Sequence, residues 1–162
     1  MRNYFYLFCL LFGAWLCLTS SMNSQELITG AIVSVIISVF FGRWYARLGL
    51  PPLSIKRIWY VLLYCIKLAL EIIKANFDVA YRVLHPALPI KPGIVAVKTN
   101  LKSTMAKLLL ANSITLTPGT FTVDVVGDRL LIHWINVESD NLEDATRRIS
   151  EKFEKYLRVI FE

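Results

Sequence analysis

The 162-residue chain is 56% apolar and 19% charged, with a mean hydropathy of +0.52 and a net charge of +6. A composition this apolar excludes a disordered chain, and it excludes an ordinary soluble domain over the whole length. Residues 1–85 hold eight Lys/Arg against three Asp/Glu and residues 86–162 hold ten against nine, so the basic excess reads as membrane topology and lipid contact, with no nucleic-acid partner.

Tyr4 to Leu18 is an uncharged apolar and aromatic run preceded by Arg2. A cleaved signal peptide would also begin this way, but no Ala-x-Ala-like site follows and a second apolar segment comes within a few residues. That segment, Leu27 to Phe41, is uncharged throughout. Both strictly apolar cores are shorter than the ~20 residues of a span. Thr19-Ser20-Ser21 extends the first, and Gly42 with Trp44 and Tyr45 extends the second, its aromatics suited to the headgroup layer. Ser20 to Glu26 carries no Lys or Arg, whereas a basic collar of Arg43, Arg47, Lys56 and Arg57 follows the second segment. The asymmetry predicts a transmembrane hairpin over 1–50 with both ends cytoplasmic. Gly30, Ser34, Ser38 and Gly42 recur every fourth residue and form a small-residue face for close helix packing in lipid, against the first span or another protein. Neither apolar core contains Asp, Glu, Lys, Arg or His, so the hairpin is not itself an ion path.

Leu50-Pro51-Pro52 stops the second helix, since proline lacks an N–H and disfavours helical geometry before it. Ser54 is a candidate N-cap for a long helix that runs to Leu84 and ends at His85-Pro86. Trp59, Leu62, Leu63, Ile66, Leu70, Ile73 and Phe77 form its apolar stripe. Tyr60, Tyr64, Lys67, Glu71, Lys74, Asp78 and Tyr81 line another face, with Lys67–Glu71 and Lys74–Asp78 at ion-pair spacing. Residues 51–85 are therefore expected to lie as an amphipathic helix in the membrane interface. A crossing helix would strand charge in the bilayer; in that case alone Lys67 and Glu71 would become ion-path candidates.

Residues 86–162 read as a small cytoplasmic α+β domain of order β-α-β-β-α. Its elements are a strand at Ile94–Thr99, a helix at Lys102–Ala111, and a hairpin of Phe121–Val126 and Arg129–Ile135 turning at Gly127-Asp128. A last helix follows an Asp140/Glu143 capping box. In the hairpin Phe121, Val123 and Val125 share one face. In the last helix Leu142, Ala145, Ile149, Phe153, Tyr156, Leu157 and Ile160 form the buried stripe, with Glu151–Lys155 and Glu154–Arg158 on the wet side. Between the first helix and the hairpin lies Asn112 to Thr120, with Thr115, Thr117 and a type II turn expected at Pro118-Gly119. Its hydroxyls serve either neighbouring backbone groups or an anion. Cys9 and Cys17, eight residues apart on one helix and so about 12 Å, cannot bridge. Cys65 has no partner in the second half, His85 and His133 stand alone, and no metal-ligand spacing, P-loop or nucleophile–base pair is present.

The run NSITLTPGT at 112–120, with Pro92-Gly93-Ile94-Val95 before it and Val123-Asp124 and His133-Trp134 after it, resembles the E subunit of Mrp-type (Mnh-type) cation/proton antiporters. The resemblance covers most of the chain. It implies a multi-subunit bacterial plasma-membrane complex that exports Na⁺, and sometimes Li⁺ or K⁺, in exchange for protons. In that family the large subunits carry the ionisable pathway, while the E subunit is a small accessory with no assigned catalytic residue. The expectation is thus a non-enzymatic, multi-pass accessory subunit that supports assembly. Its partners are the other subunits and membrane lipid, with no cofactor and no small-molecule substrate of its own. The alternative is a peripheral regulator whose cytoplasmic domain senses a ligand at the 112–120 turn; otherwise that turn is structural or a subunit contact.

Overall fold

The computed structural model describes residues 2–47, 51, 54–139 and 141–162. The chain divides into two units, Met1–Leu50 and Pro51–Glu162. Residues 51–85 and 86–162, separate regions by sequence, fall within the second.

In the first unit, helices α1 (Arg2–Thr19) and α2 (Ser24–Arg47) pack against each other. Neither contains proline, and Ser20 breaks the helical path with φ +48. At ~1.5 Å per residue the 24 residues of α2 make about 36 Å. That length and its composition suffice to cross a membrane, while α1 is a shorter apolar helix. The buried residues of α2 are Gly30, Ser34, Ser38 and Gly42. A Cβ at Gly30 would overlap the Trp15 indole, and one at Gly42 the Tyr4 ring. Both glycines therefore let an aromatic side chain of α1 lie against the α2 backbone. Ser38 keeps its hydroxyl satisfied within α2 by donating to the Ser34 carbonyl at 2.5 Å.

The second unit begins with α3 (Ile55–Leu84), capped by the Ser54 hydroxyl, which accepts from the Arg57 amide at 3.2 Å. It stops before Pro86, which has no N–H to continue the ladder. Strand β1 (Gly93–Lys98), helix α4 (Thr104–Leu116), strands β2 (Thr120–Val126) and β3 (Arg129–Trp134), and helices α5 (Leu142–Ile149) and α6 (Glu151–Phe161) follow. The sheet is antiparallel in the order β1-β3-β2. Gly127, at φ +62, supplies the left-handed position of the β2–β3 turn. Val95, Val97, Leu130 and Ile132 lie in the core with Leu110, Ile114, Phe153 and Leu157 from the helices. Ile94, Phe121 and Leu131 on the other face of the sheet are exposed.

Several details differ from the sequence reading. A β-bulge between Thr122 and Asp124 breaks the alternation of β2. Phe121 and Val125 consequently pair with His133 and Leu130, which lie on opposite faces of β3. Helix α4 continues five residues beyond Ala111, taking Asn112 and Thr115 into the helix. The last helix is two: Ser150 donates back to the Thr146 carbonyl at 3.0 Å and sits at the break between α5 and α6. Glu154 is not on the wet face but 4% exposed, accepting from the Thr99 hydroxyl (2.9 Å), the Asn100 amide (3.1 Å) and Arg158 (2.8 Å). Asp78 pairs with Arg82 at 2.8 Å rather than with Lys74. Asn141 caps α5 by accepting from the Glu143 amide, while the Asp140 of the expected capping box lies outside the described residues. So do Leu50 and Pro52 of the expected helix stop.

Phe153 is fully buried at the centre of this unit, so Phe153→Ala is expected to cost about 3–5 kcal/mol through lost burial and the cavity left behind. Amide exchange at Val97 and Leu130 should accelerate together; unchanged protection would show that Phe153 does not hold sheet and helices together.

Candidate functional site

Helix α3 meets the α+β domain with its polar side. Tyr64 enters the core and stacks edge-on to Phe153, with ring centroids 6.5 Å apart. Its hydroxyl bonds to Ser113. Because Ser113 spends its proton on the Leu109 carbonyl (2.6 Å), Tyr64 is the donor in that pair. Burial raises the phenol's pKa above its ordinary value. One helical stretch further on, Glu71 accepts from Lys67 and from Lys152 of α6, each at 2.7 Å. Burial pushes the Glu71 carboxyl upward, but hydrogen bonds from Lys152 and Lys67, and the two charges, outweigh it and hold the group at about 2.

The 112–120 run splits between two surfaces. Asn112 and Thr115 face outward on α4, where the Thr115 hydroxyl accepts from the Thr122 amide at 3.2 Å. The turn proper is Thr117-Pro118-Gly119-Thr120, closed by the Thr120 amide donating to the Thr117 carbonyl at 3.2 Å. Gly119 has φ +87, the positive value a type II turn needs at its third position, and a Cβ there would press on Ile135. The Thr117 hydroxyl donates to the Ser113 carbonyl (2.8 Å), and that of Thr120 to the carbonyls of Ile114 (2.6 Å) and Thr117 (2.9 Å). The Thr117 hydroxyl thus supplies a donor to the Ser113 carbonyl in the last turn of α4, while that of Thr120 adds a second donor to the Ile114 carbonyl, which already accepts from the Thr117 amide at 3.1 Å.

Thr117, Pro118 and Thr120 border a cleft of about 400 Å³ that also touches α3, α5 and α6. Its walls carry Glu71–Lys152 and Glu138–Arg148 ion pairs, so most of the charge facing the opening is already matched. Among the described residues no group of three His, Cys, Asp or Glu side chains could hold a metal ion. All three cysteines are free and exposed. The collar spans the two units: Arg43 and Arg47 close α2, with Arg47 over the Trp44 ring, while Lys56 and Arg57 open α3. Lys152 and the burial of Glu154 escaped the sequence reading because Glu71 lies 81 residues from the first, and Thr99 and Asn100 lie 54–55 from the second, beyond any local spacing rule.

Residues 8–160 match the family model described as Na+/H+ ion antiporter subunit (MNHE). The E subunit of the Na(+)/H(+) antiporter of Bacillus subtilis is 32% identical over 160 residues, covering 99% of this chain and 96% of that protein. Its counterpart in Alkalihalophilus pseudofirmus is 34% identical over 141 residues, 87% of each. A chain in the structure of the membrane-bound sulfane sulfur reductase, an archaeal respiratory membrane complex, is 49% identical. It superposes with a TM-score of 0.89 over 99% of this chain and 100% of that one.

Glu71 makes its contribution as a carboxylate. Because its folded pKa lies below the ordinary 4.5, that stability is present above about pH 4.5 and is lost as pH falls toward about 2. Lys152→Met removes one of the two cations, so acid unfolding followed by circular dichroism should begin at higher pH. An unchanged acid limb would show that the pair adds nothing. Thr117→Val removes the hydroxyl donor of the Ser113 carbonyl and should cost about 1 kcal/mol, read as a lower melting temperature; Thr120→Val should lower it less, because the carbonyls its hydroxyl serves keep the Thr117 and Thr120 amides.

Proposed function

Because the chain belongs to the MNHE family of Na+/H+ ion antiporter subunits, we propose that it is a non-conducting assembly subunit, anchored by a helical hairpin and presenting the α+β domain on the cytoplasmic side. The family is one of transporter subunits rather than enzymes, and the chain works alongside other subunits of a membrane complex. The observation that carries the proposal is the pairing of α1 with α2. The most deeply buried residues of α2 are Gly30, Ser34, Ser38 and Gly42. The apolar cores of both helices lack any group that could bind and release an ion. In lipid, where helices gain little from hydrophobic burial, such a close-packed pair is stabilised by van der Waals contact. The bulky residues of α2, Ile28, Ile32, Val39 and Phe40 among them, point outward to meet lipid or a neighbouring protein.

The collar supports the orientation. Arg43 and Arg47 end α2, and Lys56 and Arg57 begin the next helix, whereas 20–26 between α1 and α2 contains no cation. Both termini then lie on the cytoplasmic side. A ligand-sensing role for the 112–120 turn has less support, since its threonine hydroxyls are spent on the carbonyls of α4 and on its own turn.

A second reading is favoured by the full-length likeness to a chain of an archaeal respiratory membrane complex. The same scaffold would then serve a respiratory membrane complex. Mild-detergent purification of the tagged chain separates the two. Recovery of transporter subunits alone supports the antiporter, and recovery of redox subunits with their chromophores supports the respiratory complex.

Gly30→Leu with Gly42→Leu should sharply reduce recovery of every partner, because both side chains collide with α1. Undiminished recovery would remove the hairpin from the assembly role. Reconstituted alone into vesicles, the chain should exchange no Na⁺ for protons in a pH-dye assay. In the whole complex, Glu71→Gln should leave exchange near the wild-type rate once assembly is matched. Exchange by the isolated chain would overturn the non-conducting assignment.

A further inference from the structure

Helix α3 is docked the wrong way round for a soluble protein. Its polar side, through Tyr64, Lys67 and Glu71, grips the α+β domain, while Trp59, Leu62, Ile66, Leu70, Ile73 and Phe77 face outward, from 51% to 74% exposed. Their spacing of three and four keeps them on one side of the helix for about 27 Å at ~1.5 Å per residue. Soluble chains seldom leave so long an apolar face open unless something covers it.

We propose that this stripe is seated in the headgroup and upper acyl layer of an anionic bilayer, with the α+β domain riding on the opposite side of α3. The proposal rests on the reading of α1 and α2 as a membrane hairpin. Two observations favour lipid over a soluble partner. The first is reach: only 48–54 separate the end of α2 from the start of α3. Even fully extended, such a link spans no more than about 28 Å, which keeps α3 close to the membrane surface. The second is charge. Helix α3 carries five Lys/Arg and two Asp/Glu. Both acids are paired within the unit, Glu71 with Lys67 and Lys152, Asp78 with Arg82. Lys56 and Arg57, in the first turn of α3, line a cleft with Arg158 and Glu162. The helix thus offers net positive charge beside a large apolar face, the combination that binds anionic surfaces.

The docking contacts matter to this arrangement. Tyr64 in the core and Glu71 on Lys152 fix the roll of α3 about its axis, so the stripe cannot turn inward without breaking both. The domain therefore sets which face meets lipid.

The test uses the full-length chain with Cys9, Cys17 and Cys65 replaced by alanine. Leu62→Cys, Ile73→Cys, Glu143→Cys and Val35→Cys are each labelled with an environment-sensitive NBD dye. Each protein is reconstituted into phosphatidylglycerol/phosphatidylcholine vesicles. Dyes at 62 and 73 should be quenched by shallow nitroxide lipids and be several-fold less sensitive to aqueous iodide than the dye at 143. Replacing phosphatidylglycerol with phosphatidylcholine, or raising salt, should increase iodide access at 62. Iodide access at 62 and 73 equal to that at 143 would overturn the proposal. So would protection that appears only when partner subunits are present, because a protein would then cover the stripe. Insensitivity to lipid charge would overturn the anionic preference. The dye at 35 separates the two levels of the argument. If it is quenched by lipid while those at 62 and 73 are not, the surface seat fails and the hairpin stands; if it too is unquenched, the hairpin reading fails.

Discussion

The second unit depends on the contact between the polar side of α3 and the α+β domain. Tyr64 brings a phenol into a core otherwise built from aliphatic side chains and Phe153, and its hydroxyl donates a hydrogen bond to Ser113. Glu71 reaches between Lys67 and Lys152 and ties α3 to α6. A buried donor without a partner would be costly, so these bonds hold α3 in one rotational setting more firmly than apolar contact alone would. Everything outward-facing on the helix follows from that setting. The domain gains a fourth helix on its core and leaves the apolar stripe of that helix unused.

The first unit works by another rule. In the membrane setting proposed for α1 and α2 there would be no hydrophobic gain from their pairing, so the pair would depend on how closely two backbones can approach. Gly30 and Gly42 provide that approach, and the rings of Trp15 and Tyr4 occupy the space a Cβ would take. The two units thus use polar residues in opposite ways. In α2 the serines are buried because they are small, and Ser38 satisfies itself within its own helix. In α3 the polar groups are buried because they bond across to another element.

Much of this organisation is legible in the sequence because it is local. The Ser54 cap, the stop before Pro86 and the Gly127-Asp128 turn are set by residues within a few positions of each other. The four-residue period of Gly30, Ser34, Ser38 and Gly42 is visible for the same reason. What was not legible depends on distant contacts. Asn112 to Leu116 reads as a loop because Asn, Ser and Thr are modest helix formers, yet Ser113 is held by Tyr64 from 49 residues away. The bulge in β2 cannot be seen from alternation, since an inserted residue leaves the same apolar pattern on either side of it. Glu154 looks solvated by spacing, but the Thr99 hydroxyl and Asn100 amide receive it in the core. At the candidate site, the turn chemistry of Pro118-Gly119 could be read directly, whereas the cleft beside it required α3, α5 and α6 to be brought together.

The same geometry bears on whether Lys67 and Glu71 could carry ions. A group that relays protons must gain and lose one near the working pH. Glu71, fixed between two ammonium groups and held at about 2, stays charged throughout the neutral range. An incoming cation would also meet the two ammonium groups of Lys67 and Lys152, one on each oxygen of Glu71, which already match the carboxylate's charge and repel a further cation. Opening the site would leave charge stranded against the core and loosen α3 from α6. The arrangement is that of a clamp whose value lies in staying closed. Such a residue fits the assembly role proposed for this subunit.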